Sequence, residues 1–257
     1  MISLTEQEEK AKQRLCLALD APIDDALKLV DELSDYVGIF KVGKQLHTEA
    51  CFHSRNIVGE IYEKRLYHIQ DFIGNVFLDL KFHDTPATVY EASKACAMDY
   101  GVYMLNVHVA GGEKMCKKAW EGINDDYSSK LYYPKVIGVT VLTSLDDSDL
   151  KKQGLEIKYN DLVRRRTELA REWGLDGIVC PANKAGELEK EFGEWLYVTP
   201  GIEWNGKQGE GQKQIYTPDN AVRDCKSSIL VIGSAITKAK DRKATAYEIL
   251  QAMAKEI

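Results

Sequence analysis

The stretch FLDLKFHDTP (residues 77–86) sets ionisable side chains at intervals through an otherwise apolar run. Read as an extended strand, Val76, Leu78, Leu80 and Phe82 fall on one face, and Phe77, Asp79, Lys81 and His83 on the other. The first face is wholly apolar; the second carries an acid, a base and a histidine. An antiparallel strand with one face in water alternates in the same way. In a parallel barrel strand, the face turned away from the helices points into the core or the mouth. An unpaired charge is costly there, so such charges must be paired or stand at the mouth. The rest of the chain has to separate the two readings.

Working outward from this segment, short β-rich runs alternate with longer helical patterns. The strand candidates are LCLALD (15–20), GIFKVG (38–43), NVFLDLKF (75–82), YMLNVHV (103–109), KVIGVTVL (135–142), DGIVCP (176–181), WLYVTPGI (195–202) and SILVIGSAI (228–236). Between the first two lies DDALKLVDELSDY, whose Ala26, Leu29, Val30 and Leu33 recur at helical spacing. ATVYEASKACAMDYG follows the third run, with Gly101 expected as its C-cap, and YNDLVRRRTELAREWG precedes the sixth. Eight strands alternating with helices predict an α/β fold of the (β/α)8 TIM-barrel type. The single domain spans 1–257, with 1–14 as a helical or frayed extension. The alternative, an open doubly wound sheet, would more often carry a glycine-rich phosphate fingerprint after its first strand, and ALDAPIDD has none.

Composition narrows the function classes. A net charge of -6 argues against non-specific nucleic-acid binding. The six cysteines form no CxxC pair and no His/Cys ligand spacing, so they read as reduced, mostly buried thiols and suggest no metal site. The charged start MISLTEQEEKAKQR lacks the apolar stretch of a signal peptide, and no apolar run approaches membrane-spanning length. The expectation is a cytoplasmic protein that binds neither membrane nor nucleic acid.

In a barrel, the ends of the strand runs converge at one mouth. Asp20, Lys41, Asp79 with Lys81, His108, and Thr143 with Ser144 all stand at or just beyond such ends. Two lysines (41 and 81) and two aspartates (79 and 84) make an alternating network able to keep all four ionised. Asp84-Thr85-Pro86 reads as a strand-to-helix turn, with Thr85 as N-cap and Pro86 at the first helical position. Asp84 either supports that turn or takes part in chemistry, and these residues leave both open. His83 and His108 read as structural hydrogen-bonding groups. The polar, glycine-rich NGKQGEGQKQ (205–214) suits a loop over the mouth, and Arg164, Arg165 and Arg166 a solvated helix face.

With these residues in view, the chain resembles the orotidine 5'-phosphate decarboxylase family. LDLKFHDTPATV carries that family's extended DxKxxD signature, and LALD (17–20), FKVG (40–43), GVTVLTSL (138–145), VTPGI (198–202) and TPDNAV (217–222) repeat its other blocks in order. The resemblance implies a homodimer with shared active sites, using neither metal nor organic cofactor, that converts orotidine 5'-phosphate to uridine 5'-phosphate. By position, Lys41, Asp79, Lys81 and Asp84 match the catalytic tetrad, Asp84 being supplied to the partner's site and Lys81 protonating C6. Asp20 matches a residue holding ribose hydroxyls, Asp84 and Thr85 residues that reach the ribose of the other subunit's substrate, Thr143 and Ser144 a base-binding loop, and Gln212 a bridge between base and phosphate. Pro200, Gly233 and Ser234 match the phosphate end.

That end departs from the pattern. Glu203 replaces an arginine in VTPGIE, Ser234 replaces the usual phosphate-gripping arginine in VIGS, and Gly211-Gln212-Lys213-Gln214 has lost a further cation. Three readings stay open. Backbone amides near Gly233–Ala235, with Gln212 and Lys207, Lys213 or Lys238, still bind phosphate. Alternatively, the barrel acts on a different or non-phosphorylated ligand. The third reading is a catalytically weak nucleotide-binding protein.

Overall fold

The alternation in the strand runs resolves into two apolar layers, one inside a ring of strands and one beneath its helices. The computed structural model describes residues 3–66, 75–98, 101–125, 133–204, 216–225 and 228–257. Among these, eight parallel strands close into a barrel in chain order: β1 (Leu15–Ala18), β2 (Ile39–Gly43), β3 (Val76–Phe82), β4 (Val102–His108), β5 (Lys135–Val139), β6 (Gly177–Val179), β7 (Leu196–Thr199) and β8 (Ser228–Ile232). Cys16, Ala18, Ile39, Phe77, Met104, Ile137, Val198 and Ile229 fill the interior. Leu17, Phe40, Val42, Val76, Leu78 and Leu105, one residue out of phase, belong to the larger cluster shared with the helices. Full burial of each such side chain contributes about 1.5–3 kcal/mol.

The helices are α1 (Glu6–Arg14), α2 (Ile23–Leu33), α3 (Lys44–Phe52), α4 (Ile57–Leu66), α5 (Pro86–Ala97), α6 (Glu113–Asn124), α7 (Asp147–Lys152), α8 (Tyr159–Glu172), α9 (Ala182–Phe192), α10 (Pro218–Asp224), α11 (Ser234–Thr237) and α12 (Arg242–Ala254). In α2 the expected apolar positions Ala26, Leu29, Val30 and Leu33 are all buried. A capping box between Thr5 and Glu8 starts α1. Arg14 at its end donates to the backbone oxygens of Ser228 (2.8 Å) and Cys225 (3.1 Å), tying the N-terminal segment to the start of β8.

Several expected strands end early. β1, β5, β6, β7 and β8 stop two to four residues before the ends of their apolar runs, where the chain leaves the ladder to form the mouth loops. Val141, Ile202, Ala235 and Ile236 remain buried beyond those ends. Apolar runs report burial there and say nothing about strand pairing. Gly101 is not a helix cap: α5 closes at Met98. At Gly101 an added Cβ would lie 3.0 Å from side-chain atoms of both Tyr62 and Val58, so glycine there permits α4 to pack closely.

Candidate active site

The inward layer climbs from apolar to charged in one step along three adjacent strands. Two residues past Ala18, Ile39 and Phe77 on the same face come Asp20, Lys41 and Asp79, with Lys41 in register with Ala18 and Phe77, and Gly43 with Asp79. The Lys41 ammonium lies 3.3 Å from Asp20 Oδ1 and 3.4 Å from Asp79 Oδ2. Lys81 Nζ donates to Asp79 Oδ1 at 2.6 Å. The Asp79 side chain is 12% exposed and that of Lys41 11%, whereas Lys81 reaches further into the mouth at 27%. Gly43 leaves room for this cluster, since a Cβ there would sit 3.2 Å from Lys41 Nζ and 3.4 Å from Asp20 Oδ1.

Burial opposes the charge on Lys41, but Asp79 and Asp20 outweigh it and raise the lysine above its ordinary range. Burial likewise opposes ionised Asp79. Lys41 and Lys81, with hydrogen bonds from Lys81 and Asn106, hold its carboxyl below the usual carboxylate range. At neutral pH this is an ammonium–carboxylate–ammonium sandwich with Asp20, 62% exposed, on its outer side.

The alternation read from FLDLKFHDTP fails at one point. Lys81 has φ 53°, in the left-handed region, and the β3–β4 register slips between Leu78↔Leu105 and Phe82↔Val107, so four steps on β3 face two on β4. The displaced Lys81 N–H donates to Asn106 Oδ1 at 2.7 Å, and Asn106 Nδ2 donates to Asp79 Oδ1, also at 2.7 Å. Asn106 did not emerge from the sequence reading. Its one signal is a polar residue two positions past Met104 on the inward face of the fourth strand run.

A cavity of about 510 Å³ opens above this cluster. Asp20, Lys41, Asp79, Lys81, Thr143, Pro200, Gly233 and Ser234 line it, together with Gln45, Thr237 and Lys238. Other candidate residues lie elsewhere. Ser144 and Thr85 are exposed and do not line this cavity. Thr85 occupies the N-cap position of α5 with Pro86 in the first turn, yet its hydroxyl makes no cap hydrogen bond and pairs with Thr88 instead (2.9 Å). Asp84 is exposed, accepts from the Thr85 N–H at 2.6 Å, and lines a second, open concavity with Lys44, Lys81, His83 and His108. Glu203 does not line the main cavity. Gln212, Lys207, Lys213 and the rest of the 205–214 segment lie outside the described residues.

The arginine run is only partly solvated. Arg164 and Arg165 pair with Glu191 and Glu168, whereas Arg166 is half-buried and donates to the Thr140 carbonyl at 2.6 Å, bracing the end of β5. His83 and His108 pack with ring centroids 5.3 Å apart and ring planes tilted by 40°. Burial first, then His83, Lys81, Arg166 and Lys44, push the His108 imidazole from 6.5 down to about 4. Between those values the unfolded chain binds a proton that the folded protein refuses. This contribution to stability is therefore complete above 6.5 and lost as pH falls toward 4. In His108→Asn, Tm is expected to fall less steeply than in the wild type between about pH 7 and pH 5. Parallel Tm curves would remove His108 from this role.

Among the described residues, no cluster of three His, Cys, Asp or Glu side chains could hold a metal ion, and no helix is long and apolar enough to cross a membrane. Fold and site together define a (β/α)8-barrel protein whose interior face ends in a buried lysine–aspartate network at the C-terminal mouth. Within that class, the chain belongs to the Orotidine 5'-phosphate decarboxylase / HUMPS family, whose profile matches residues 13–249. It is 38% identical over 218 residues to the orotidine 5'-phosphate decarboxylase of Buchnera aphidicola, covering 84% of this chain and 85% of that protein. Against the enzyme of the same name from Saccharophagus degradans it is 38% identical over 244 residues, covering 94% and 95%. The crystal structure of orotidine 5'-phosphate decarboxylase from Lactobacillus acidophilus superposes with a TM-score of 0.76 at 30% identity, over 93% of this chain and 98% of that one.

Proposed function

We propose that this chain is a carboxy-lyase that decarboxylates orotidine 5'-phosphate to uridine 5'-phosphate, a step of pyrimidine synthesis. The observation that carries this reading is the Asp79 carboxylate held between the Lys41 and Lys81 ammonium groups inside the mouth cavity. When the C6–carboxylate bond breaks, its electron pair stays on C6 with no conjugated sink, so stabilisation has to be electrostatic. Lys81 supplies the positive charge and then transfers a proton to C6. CO2 leaves, and the neutral amine regains its proton from water. Asp79 orients Lys81 and sets negative charge beside the departing carboxylate. Asp20 and Lys41 take the ribose hydroxyls, and Thr143, the member of the Thr143–Ser144 pair that lines the cavity, takes the pyrimidine. In this reading Asp84 and Thr85, which do not line the chain's own cavity, serve the second site of a homodimer. The protein works in the cytoplasm. Loss of orotidine 5'-phosphate absorbance with matching CO2 release tests the reading directly; a folded protein giving neither would end it.

At the phosphate end, Lys238 lines the same cavity as Pro200, Gly233 and Ser234. It is the described cation best placed to replace the arginine that Ser234 displaces. A charged hydrogen bond contributes about 1.5–3 kcal/mol, so Lys238→Ala should weaken uridine 5'-phosphate binding about 10- to 100-fold while leaving uridine binding unchanged. Calorimetry with both ligands makes the comparison. Equal affinity of the wild type for nucleoside and nucleotide would favour the second reading, a barrel acting on a non-phosphorylated ligand, which Ser234 motivates.

A further inference from the structure

Lys81 is one of two non-glycine residues with positive φ among those described, and the other, Ser54, sits between α3 and α4 rather than in a strand. A lysine in that conformation within a strand is strained and persists only where its surroundings over-determine it. Here one side chain meets the displaced Lys81 N–H. Asn106 is 1% exposed, on β4 directly across the bulge. Its amide orientation follows from chemistry: the Lys81 N–H can only donate, so it meets Oδ1, and the Asp79 carboxylate can only accept, so it meets Nδ2. Asp79 Oδ1 thereby receives two donors, Asn106 Nδ2 at 2.7 Å and Lys81 Nζ at 2.6 Å.

From this geometry we infer that Asn106 is the positioning residue of the site. One buried amide fixes both the backbone from which Lys81 springs and the carboxylate on which its ammonium rests. The inference deepens the decarboxylase reading and rests on it for its catalytic meaning. It assigns Asn106 no contact with substrate. Apolar packing in the same space supplies neither the acceptor nor the donor, leaving Asp79 held by the two lysines alone and the displaced Lys81 N–H without its acceptor. A misplacement of about 1 Å at a reacting group costs about 10²-fold in rate.

Two variants separate the two arms. Asn106→Ala removes both, and its kcat is expected to fall about 100-fold while the affinity for uridine 5'-phosphate stays within threefold of wild type. Asn106→Asp keeps the acceptor for the Lys81 N–H but sets a carboxylate oxygen against Asp79. The two acids should then share a proton, moving the acidic limb of the kcat/KM profile up by about one pH unit or more. A purely structural role would lower Tm in both variants without moving that limb. The inference is overturned by wild-type kcat in Asn106→Ala, by an unmoved limb in Asn106→Asp, or by loss of nucleotide affinity in proportion to kcat. If the wild type fails to turn over orotidine 5'-phosphate, carboxyl-carbon NMR of the unliganded proteins still decides the matter. Asn106→Asp should then show an aspartate pair whose upper pKa exceeds any site carboxyl of the wild type, and an unchanged Asp79 titration refutes the coupling.

Discussion

Lys81→Ala is expected to lose turnover of orotidine 5'-phosphate by about 10³-fold or more, since in the proposed mechanism it removes both a general acid and the charge facing the developing carbanion. Binding of uridine 5'-phosphate should change far less, because the product carries no charge at C6. The variant is expected to fold. Asp79 keeps Lys41 and the Asn106 amide as partners, so no carboxylate is left buried and unpaired. Alanine at φ 53° meets the same backbone strain as lysine, so the bulge is no more costly than before. Single-turnover measurement at saturating substrate reads the chemical step directly. A Lys81→Ala enzyme within tenfold of wild type would remove this residue from the reaction.

The second large effect is a recovery. Asp84 stands exposed on a second concavity, which shares Lys81 with the main cavity but not Lys41 or Asp79. If it completes the site of a second subunit, Asp84→Asn and Lys81→Ala should each be nearly inactive alone and regain activity when mixed. Random reassortment makes about half of the dimers mixed, each with one intact and one doubly altered site, so recovery approaches about one quarter of the wild-type rate. Differently tagged variants, co-purified after subunit exchange, allow the mixed species to be counted against the rate. No recovery in demonstrably mixed dimers, or full activity of Asp84→Asn alone, would return Asp84 to the role of a turn residue holding the Thr85 N–H.

The inward charges of the third strand were legible because a parallel barrel admits only two faces, and the apolar one had to meet the helices. The adjacency of Lys41 and Asp79 followed from strand order once the barrel was accepted, and the 3.4 Å contact agrees with it. The strand ends were less legible. Val141 and Ile202 are as apolar as strand residues because they are buried in mouth loops, and hydrophobicity registers removal from water, whichever backbone achieves it. Ser144 and Thr143 are adjacent in sequence, yet only Thr143 lines the cavity. At a loop, side-chain direction depends on dihedral angles that no period predicts.

By itself, the sequence determined the order of the strands, which residues belong to the interior face, and that the charges at its upper edge must neutralise one another. These follow from local periodicity and from the cost of isolating charge away from water. Only the tertiary structure decided that the alternation breaks at Lys81, that Asn106 spans the break, and that Asp84 lines a neighbouring concavity and not the main cavity. The bulge arises from a mismatch between two strands distant in the chain, and its left-handed residue is tolerated because a side chain from the second strand meets the displaced N–H. Such a cross-strand contact exists only once the barrel has closed.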